Sequence, residues 1–183
     1  MTEVSDLIFR PTQNLGKRIK NVPQISLAPA DHPLLDWSAT EFVFERRRYV
    51  ILANTLSLYC TVIPIIGVNF PKTWKGWLHE GIKNALDSIG RYSDFAEFVS
   101  PEHRNVRISK SLNRSITSSL NMYVSHARIY MQNGVESEQI AHQLNGTPMS
   151  AIAQDGEDYG IPKICFETMV TDCLRSSGSM AIG

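Results

Sequence analysis

The 183-residue sequence has few of the features that mark secreted or membrane proteins. It has only three cysteines, Cys60, Cys165 and Cys173, and no CxxC pair, which predicts a reducing compartment and no disulfide framework. The longest apolar run, TVIPIIGVNF, is far too short to span a bilayer, and the N-terminus has no basic segment followed by an apolar one. These absences predict a cytoplasmic protein that does not contact a membrane.

Motifs for metal binding and catalysis are equally scarce. None of the five histidines has HExxH spacing or a cysteine partner, and the chain has no Walker A, GxGxxG or GxSxG sequence. Cys60 lies in an apolar stretch, where a free cysteine is normally a small buried hydrophobe. We therefore expect no metal and no cofactor, and the sequence favours a protein that is not an enzyme.

Charge is balanced over the chain but not along it. Eighteen basic and 18 acidic residues give a net charge of zero, which argues against a chain coated by nucleic acid or held on a membrane surface. Residues 1–114 hold 15 basic and 11 acidic residues, whereas residues 115–183 hold 3 and 7. This asymmetry is either chance or the sign of a basic face for an anionic ligand.

Strand patterns come first along the chain. Phe42 and Phe44 alternate with polar neighbours, and the apolar runs YVILAN and SLYCTVIPII follow. Together they predict an antiparallel meander over residues 40–66, with turns at Arg46–Arg48 and Asn54–Ser57. The continuous run YVILAN is typical of a central strand.

Helical patterns occupy the rest of the chain. Apolar residues at helical spacing run from Trp74 to Ile89, from Ile116 to Met131 and from Ile140 to Leu144. This order predicts an α+β fold in which a small antiparallel β-meander packs against three or four helices on one face. We expect residues 1–152 to form a single domain. We expect residues 153–183 to form a C-terminal extension with a short helix and a frayed end.

Seven polar residues lie at predicted turns or near helix starts and could bind a ligand. They are Arg46, Arg47, Asn54, Asn113, Arg114, Ser115 and Asn121. Arginine forks and helix N-terminal amides both bind anions well, so the set is suited to a phosphate, a carboxylate or a nucleic-acid backbone. Structural alternatives stay open: Asn113 as a helix N-cap, Arg114 in a surface salt bridge, and the turn arginines as a solvated hairpin.

Four segments occur in this order along the chain: FRPTQNLGKRI, DWSATEFVFERRRYVILANTLSLYCTVIP, LNRSITSSLNMY and QLNGTPMSAI. Together they resemble the uncharacterised prokaryotic domain family DUF6933, over about residues 7–152. The matching positions are Trp37, Arg46, Arg47, Asn54, Leu58, Tyr59, Asn113, Arg114, Ser115, Ser119, Asn121, Leu144, Asn145, Thr147, Pro148 and Met149. The chain departs from the family pattern at Met122, where the family tends to Asp, which puts in doubt any chemistry that needs a carboxylate there. The resemblance implies no activity.

Three functions are consistent with the sequence. The leading hypothesis is a non-enzymatic binding module that holds an anionic partner, a nucleic-acid backbone or a protein, through the turn arginines and Arg114. The second is an enzyme for a phosphorylated or nucleotide substrate, which predicts a deep pocket joining Asn54, Asn113 and Asn121 to that arginine. The third is a structural protein that forms homo-oligomers through the sheet edge or the C-terminal helix.

Overall fold

The computed structural model describes residues 5–66, 70–100 and 104–179. Its centre is a five-stranded mixed sheet with the strand order β4–β3–β2–β1–β5. Strands β2, β3 and β4 form an antiparallel meander, and β1 is parallel to both β2 and β5. The strands are β1 (Leu7–Pro11), β2 (Asp36–Phe44), β3 (Arg47–Asn54), β4 (Cys60–Ile65) and β5 (Val106–Ile108).

Helices cover both faces of this sheet. The helices are α1 (Gln13–Arg18), α2 (Phe70–Asp87), α3 (Tyr92–Val99), α4 (Arg114–Gln132), α5 (Ser137–Asn145) and α6 (Pro162–Ser179). On the first face, Trp37 and Leu52 share a buried cluster with Leu78 of α2, Phe95 of α3 and Phe166 of α6. This cluster also contains residues of α1, so four helices lie on that face.

The second face carries α4 and α5. Ile51 and Cys60 of the sheet are buried there in one cluster with Leu120 and Tyr123 of α4 and Leu144 of α5. The central strand β3 therefore needs apolar side chains on both sides, and this explains why YVILAN has no polar alternation.

The α+β class, the antiparallel meander and the single domain predicted from the sequence are confirmed. The meander begins earlier than predicted, at Asp36. The helices were expected on one face and lie on both, because the central strand β3 is apolar on both sides and α4 and α5 cover its second side. The sheet also has two strands, β1 and β5, beyond the predicted meander.

The edge strand β4 is held by an asparagine of α5. Asn145 is buried, its Oδ1 accepts the N–H of Cys60 at 2.7 Å, and its Nδ2 donates to the carbonyl of Cys60 at 2.9 Å. The side-chain amide thus takes the position that the backbone of a further strand would occupy.

Helix α6 packs in the buried cluster on the first face of the sheet. Phe166 stacks on Tyr59 with 4.6 Å between ring centroids. The rings of Phe166 and Trp37 pack edge to face, with 6.3 Å between their centroids. Val170 is buried in the same cluster. The boundary at residue 152 stays a prediction.

No disulfide joins any of the three cysteines, all of which lie in the described part of the chain, and Cys60 is buried as predicted. Burial raises the pKa of its thiol far above the ordinary value, so this thiol stays protonated at neutral pH. Of the helices in the described part of the chain, none is long and apolar enough to cross a membrane.

Candidate functional site

A cavity of about 440 Å³ opens where β1 and β5 end. Because these strands are parallel, the residues that follow them meet at the same edge of the sheet. This edge is where open sheets with parallel strands usually bind ligands. We call the cavity the anion cleft, and its polar lining includes Thr12, Gln13, Lys110, Ser111, Asn113 and Arg114.

Helix α4 begins at the border of the cleft. Asn113 has an extended backbone, and its Oδ1 accepts the N–H of Ile116 at 2.9 Å. The predicted N-cap role of Asn113 is therefore confirmed. The first turn of this 19-residue helix carries backbone N–H groups without helical acceptors, so its N-terminus adds partial positive charge beside the cleft.

Two cations of the cleft are not neutralised by neighbours. Lys110 and Arg114 are exposed and make no ion pair with any residue of the described ranges. The described residues that line the cleft include no aspartate or glutamate. The lining is therefore electropositive, as an anion site requires.

A third cation, Arg10, lies beneath the cleft and belongs to the framework. Arg10 is buried, and it donates from Nε and Nη2 to the Asp36 carboxylate at 2.7 and 2.8 Å. Its Nη1 also donates to Ser109 Oγ at 2.9 Å and to the carbonyl of Lys110 at 3.1 Å. Further bonds reach the carbonyls of residues 27 and 28. Arg10 thus ties the segments after β1 and β5 together, and Asp36 balances its charge.

The turn between β2 and β3 differs from the predicted one. Phe44 pairs with Arg47, which leaves Glu45 and Arg46 as the two turn residues, with φ of 46° and 65°. Two-residue hairpins with both φ positive favour Asn and Gly, so this turn is strained. Arg46 and Arg47 are exposed and make no ion pair with described residues, whereas Arg48 lies 3.9 Å from a glutamate oxygen of β2.

The turn arginines and the cleft lie at opposite ends of α4. Arg47 lines a second cavity together with Met131 and Gly134. Met131 lies in the last turn of α4, and Gly134 lies just beyond its end. At a rise of about 1.5 Å per residue, Arg114 lies about 25 Å from Met131. The structure therefore does not bring Arg46 and Arg47 together with Arg114.

The remaining predicted residues also lie apart. Asn54 is buried, its Nδ2 donates to the carbonyl of Pro33 at 2.7 Å, and its Oδ1 accepts from the N–H and Oγ of Ser57 at 3.1 and 3.0 Å. Ser115 and Asn121 are exposed on α4 and are not among the residues that line the cleft. The deep pocket that joins Asn54 and Asn121 to Asn113 and Arg114 does not form.

Of the six polar lining residues named above, the sequence identified only Asn113 and Arg114. Thr12 and Gln13 fall in the segment FRPTQN, and Lys110 and Ser111 lie almost a hundred residues later. Only the parallel pairing of β1 with β5 brings them together. The one available signal was an arginine in an apolar strand, Arg10, which needs a buried acid as its partner.

A histidine and two thiols border another cavity, of about 580 Å³, beside α6. Burial and the nearby Arg104 lower the pKa of His32, and its Nδ1 accepts the N–H of Leu34 at 3.2 Å. Burial raises the pKa of the Cys165 and Cys173 thiols, so neither is poised as a nucleophile. In the described ranges, no group of three or more His, Cys, Asp or Glu could hold a metal ion.

Comparison with known families identifies the domain. The model of the family described as "Domain of unknown function (DUF6933)" matches residues 8–164, so the chain belongs to this family. The match extends past the resemblance seen in the sequence, into the first turn of α6. No curated protein shows a significant match to the chain.

Proposed function

We propose that this DUF6933 domain is a non-enzymatic binding module whose anion cleft holds an oxyanion of a larger partner. The observation that carries the proposal is the pair Lys110 and Arg114, two cations without ion-pair partners in the described chain that line one concave site. The partner group is a phosphate of a nucleic-acid backbone or a carboxylate of a protein.

The two cations of the cleft differ from three other exposed arginines that have acidic neighbours. Arg91, Arg107 and Arg175 each lie within 4 Å of an aspartate oxygen, which offsets their charge locally. Lys110 and Arg114 have no such neighbour among the described residues, and the N-terminus of α4 adds to their field. An incoming oxyanion gains charge-assisted hydrogen bonds without displacing an internal carboxylate.

The polar neighbours favour binding over catalysis. Thr12, Gln13 and Ser111 place neutral polar groups around the two cations. None of the described lining residues is a histidine, cysteine or carboxylate, the groups that most often move protons or attack a substrate.

The test is binding of a labelled single-stranded oligonucleotide and of an acidic peptide, followed by fluorescence anisotropy. Lys110→Gln and Arg114→Gln should each weaken the affinity for the true partner by about tenfold, because each removes one charge-assisted contact. The matched control is Arg128→Gln on the same helix, whose exposed side chain is not part of the cleft lining. Failure of both probes to bind, or equal weakening by the control, would contradict the proposal.

The salt dependence of binding tests whether the partner is a nucleic acid. A nucleic acid that contacts two cations should lose roughly tenfold in affinity between about 50 and 200 mM salt, because counterions are released on binding. Removal of either cation should reduce the logarithmic salt slope by about one. An acidic peptide that binds while the oligonucleotide does not would identify a protein partner.

A further inference from the structure

A second cavity, of about 560 Å³, lies between the β2–β3 turn and the corner that joins α4 to α5. We call it the hairpin cavity. Its volume falls in the range of about 300–1,000 Å³ that is typical of small-molecule sites. Its apolar part is formed by Phe44, Tyr49, Met131 and Val135.

Three charges of both signs line this apolar part. They are Arg47 from β3, Glu45 from the turn and Glu136 from the α4–α5 corner, and all three are exposed. None of them makes an ion pair with another or with any other described residue. One cavity thus offers one cation and two carboxylates that make no ion pair with described residues.

Glu45 and Arg47 belong to the closed β2–β3 hairpin, and Glu136 directly precedes α5. Glu45 lies in the left-handed region with φ of 46°, and the turn is closed by the pairing of Phe44 with Arg47. Tyr49 stacks on Phe42 with 5.3 Å between ring centroids, which stiffens the hairpin below the turn. Glu136 occupies the N-cap position of α5, but its side chain accepts no capping hydrogen bond, so its carboxylate is available.

We propose that the hairpin cavity binds a small free zwitterion, of the class of short linear peptides. The ligand carboxylate pairs with Arg47, its ammonium group lies between Glu45 and Glu136, and its apolar body covers Tyr49 and Val135. A simple anion would meet two carboxylates for one arginine, and a simple cation would meet that arginine. A ligand that carries both charges satisfies all three groups.

The experiment uses the dipeptide leucyl-leucine with its N-acetylated and C-amidated forms, and measures binding by NMR titration of the full chain. Each capped form should bind about tenfold more weakly than the free dipeptide, because each has lost one charged contact. Arg47→Gln should lower the affinity for the free dipeptide by a similar factor and leave the affinity for the C-amidated form unchanged. The double variant Glu45→Gln with Glu136→Gln should lower the affinity for the free dipeptide and leave the affinity for the N-acetylated form unchanged.

Matched controls separate this site from the anion cleft. Arg128→Gln and Glu80→Gln change exposed charges outside the hairpin cavity and should leave dipeptide binding intact. The variants Lys110→Gln and Arg114→Gln should also bind the dipeptide normally. The inference is overturned if no dipeptide binds at millimolar concentration, if both capped forms bind as well as the free one, or if Arg47→Gln has no effect.

Discussion

Arg10 is a buried cation whose side chain also borders the anion cleft. Its charge is compensated by Asp36, so the removal of one partner leaves the other ionised and without a counter-charge in the interior. We predict that Arg10→Gln lowers the free energy of unfolding by about 3–5 kcal/mol, measured by urea denaturation. The exposed pair of Arg107 with Asp6 is the control, and Arg107→Gln should cost less than about 1 kcal/mol. Equal small effects of both variants would show that Arg10 does not organise the cleft floor.

His32 gives the fold a dependence on pH. Its pKa is lowered by burial and by Arg104, so the unfolded chain takes up a proton at this histidine before the folded protein does. Its contribution to stability is therefore complete above a pH of about 6.5, the ordinary pKa of histidine, and is lost as the pH falls below that value.

We predict that His32→Asn reduces the loss of stability between neutral and mildly acidic pH, because asparagine does not titrate. Asparagine also keeps an acceptor for the N–H of Leu34, so the short helical turn that begins there should persist. The measurement is the unfolding free energy of both proteins across this pH range. Parallel pH profiles would contradict the role given to His32.

Single residues were predictable where their role is local. Asn113 was identified from its position before an apolar helical pattern, and it is an N-cap. Asn54 was read as a ligand candidate, yet its side chain holds the loop after β3 through Ser57 and reaches Pro33. The contact with Pro33 forms only because the folded chain brings that residue next to Asn54, and no local sequence pattern predicts this.

The β2–β3 hairpin has a turn that its sequence fits poorly. Glu45 and Arg46 both adopt positive φ, where asparagine and glycine are favoured. We predict that the double substitution Glu45→Asn with Arg46→Gly raises the free energy of unfolding by about 1–2 kcal/mol. The same variant should bind leucyl-leucine more weakly, since it removes a carboxylate of the hairpin cavity. A destabilised variant in thermal denaturation would contradict the assignment of strain to this turn.

Elements formed by neighbouring segments were easier to predict than elements paired across the chain. The meander and the long helices follow from apolar spacing within each segment. Strand β5 has only three residues, and β1 pairs with β2 and β5 in parallel over long sequence separations. The anion cleft depends on those two strands, so only its α4 side, Asn113 and Arg114, was found from the sequence.

At the scale of the whole molecule, α6 is part of the buried cluster on the first face of the sheet. Phe166 contacts Trp37 and Tyr59, which lie more than a hundred residues earlier in the chain. We predict that Phe166→Ala lowers the free energy of unfolding of the entire domain by about 3–5 kcal/mol, in one transition followed by circular dichroism and by tryptophan fluorescence. If residues 153–183 form a separate extension, the main transition should stay where it is in the unaltered protein.

Asn145 has a consequence for how the folded protein behaves in a crowded solution. A sheet edge with free backbone groups can recruit a strand from another molecule and so begin aggregation. At the start of β4 those groups are already bonded to the Asn145 amide, and later in the strand Pro64 has no N–H to offer. The opposite edge, β5, is only three residues long. An intruding strand would therefore have to displace a buried amide before it gained its first bonds, which raises the barrier to templated growth of fibrils.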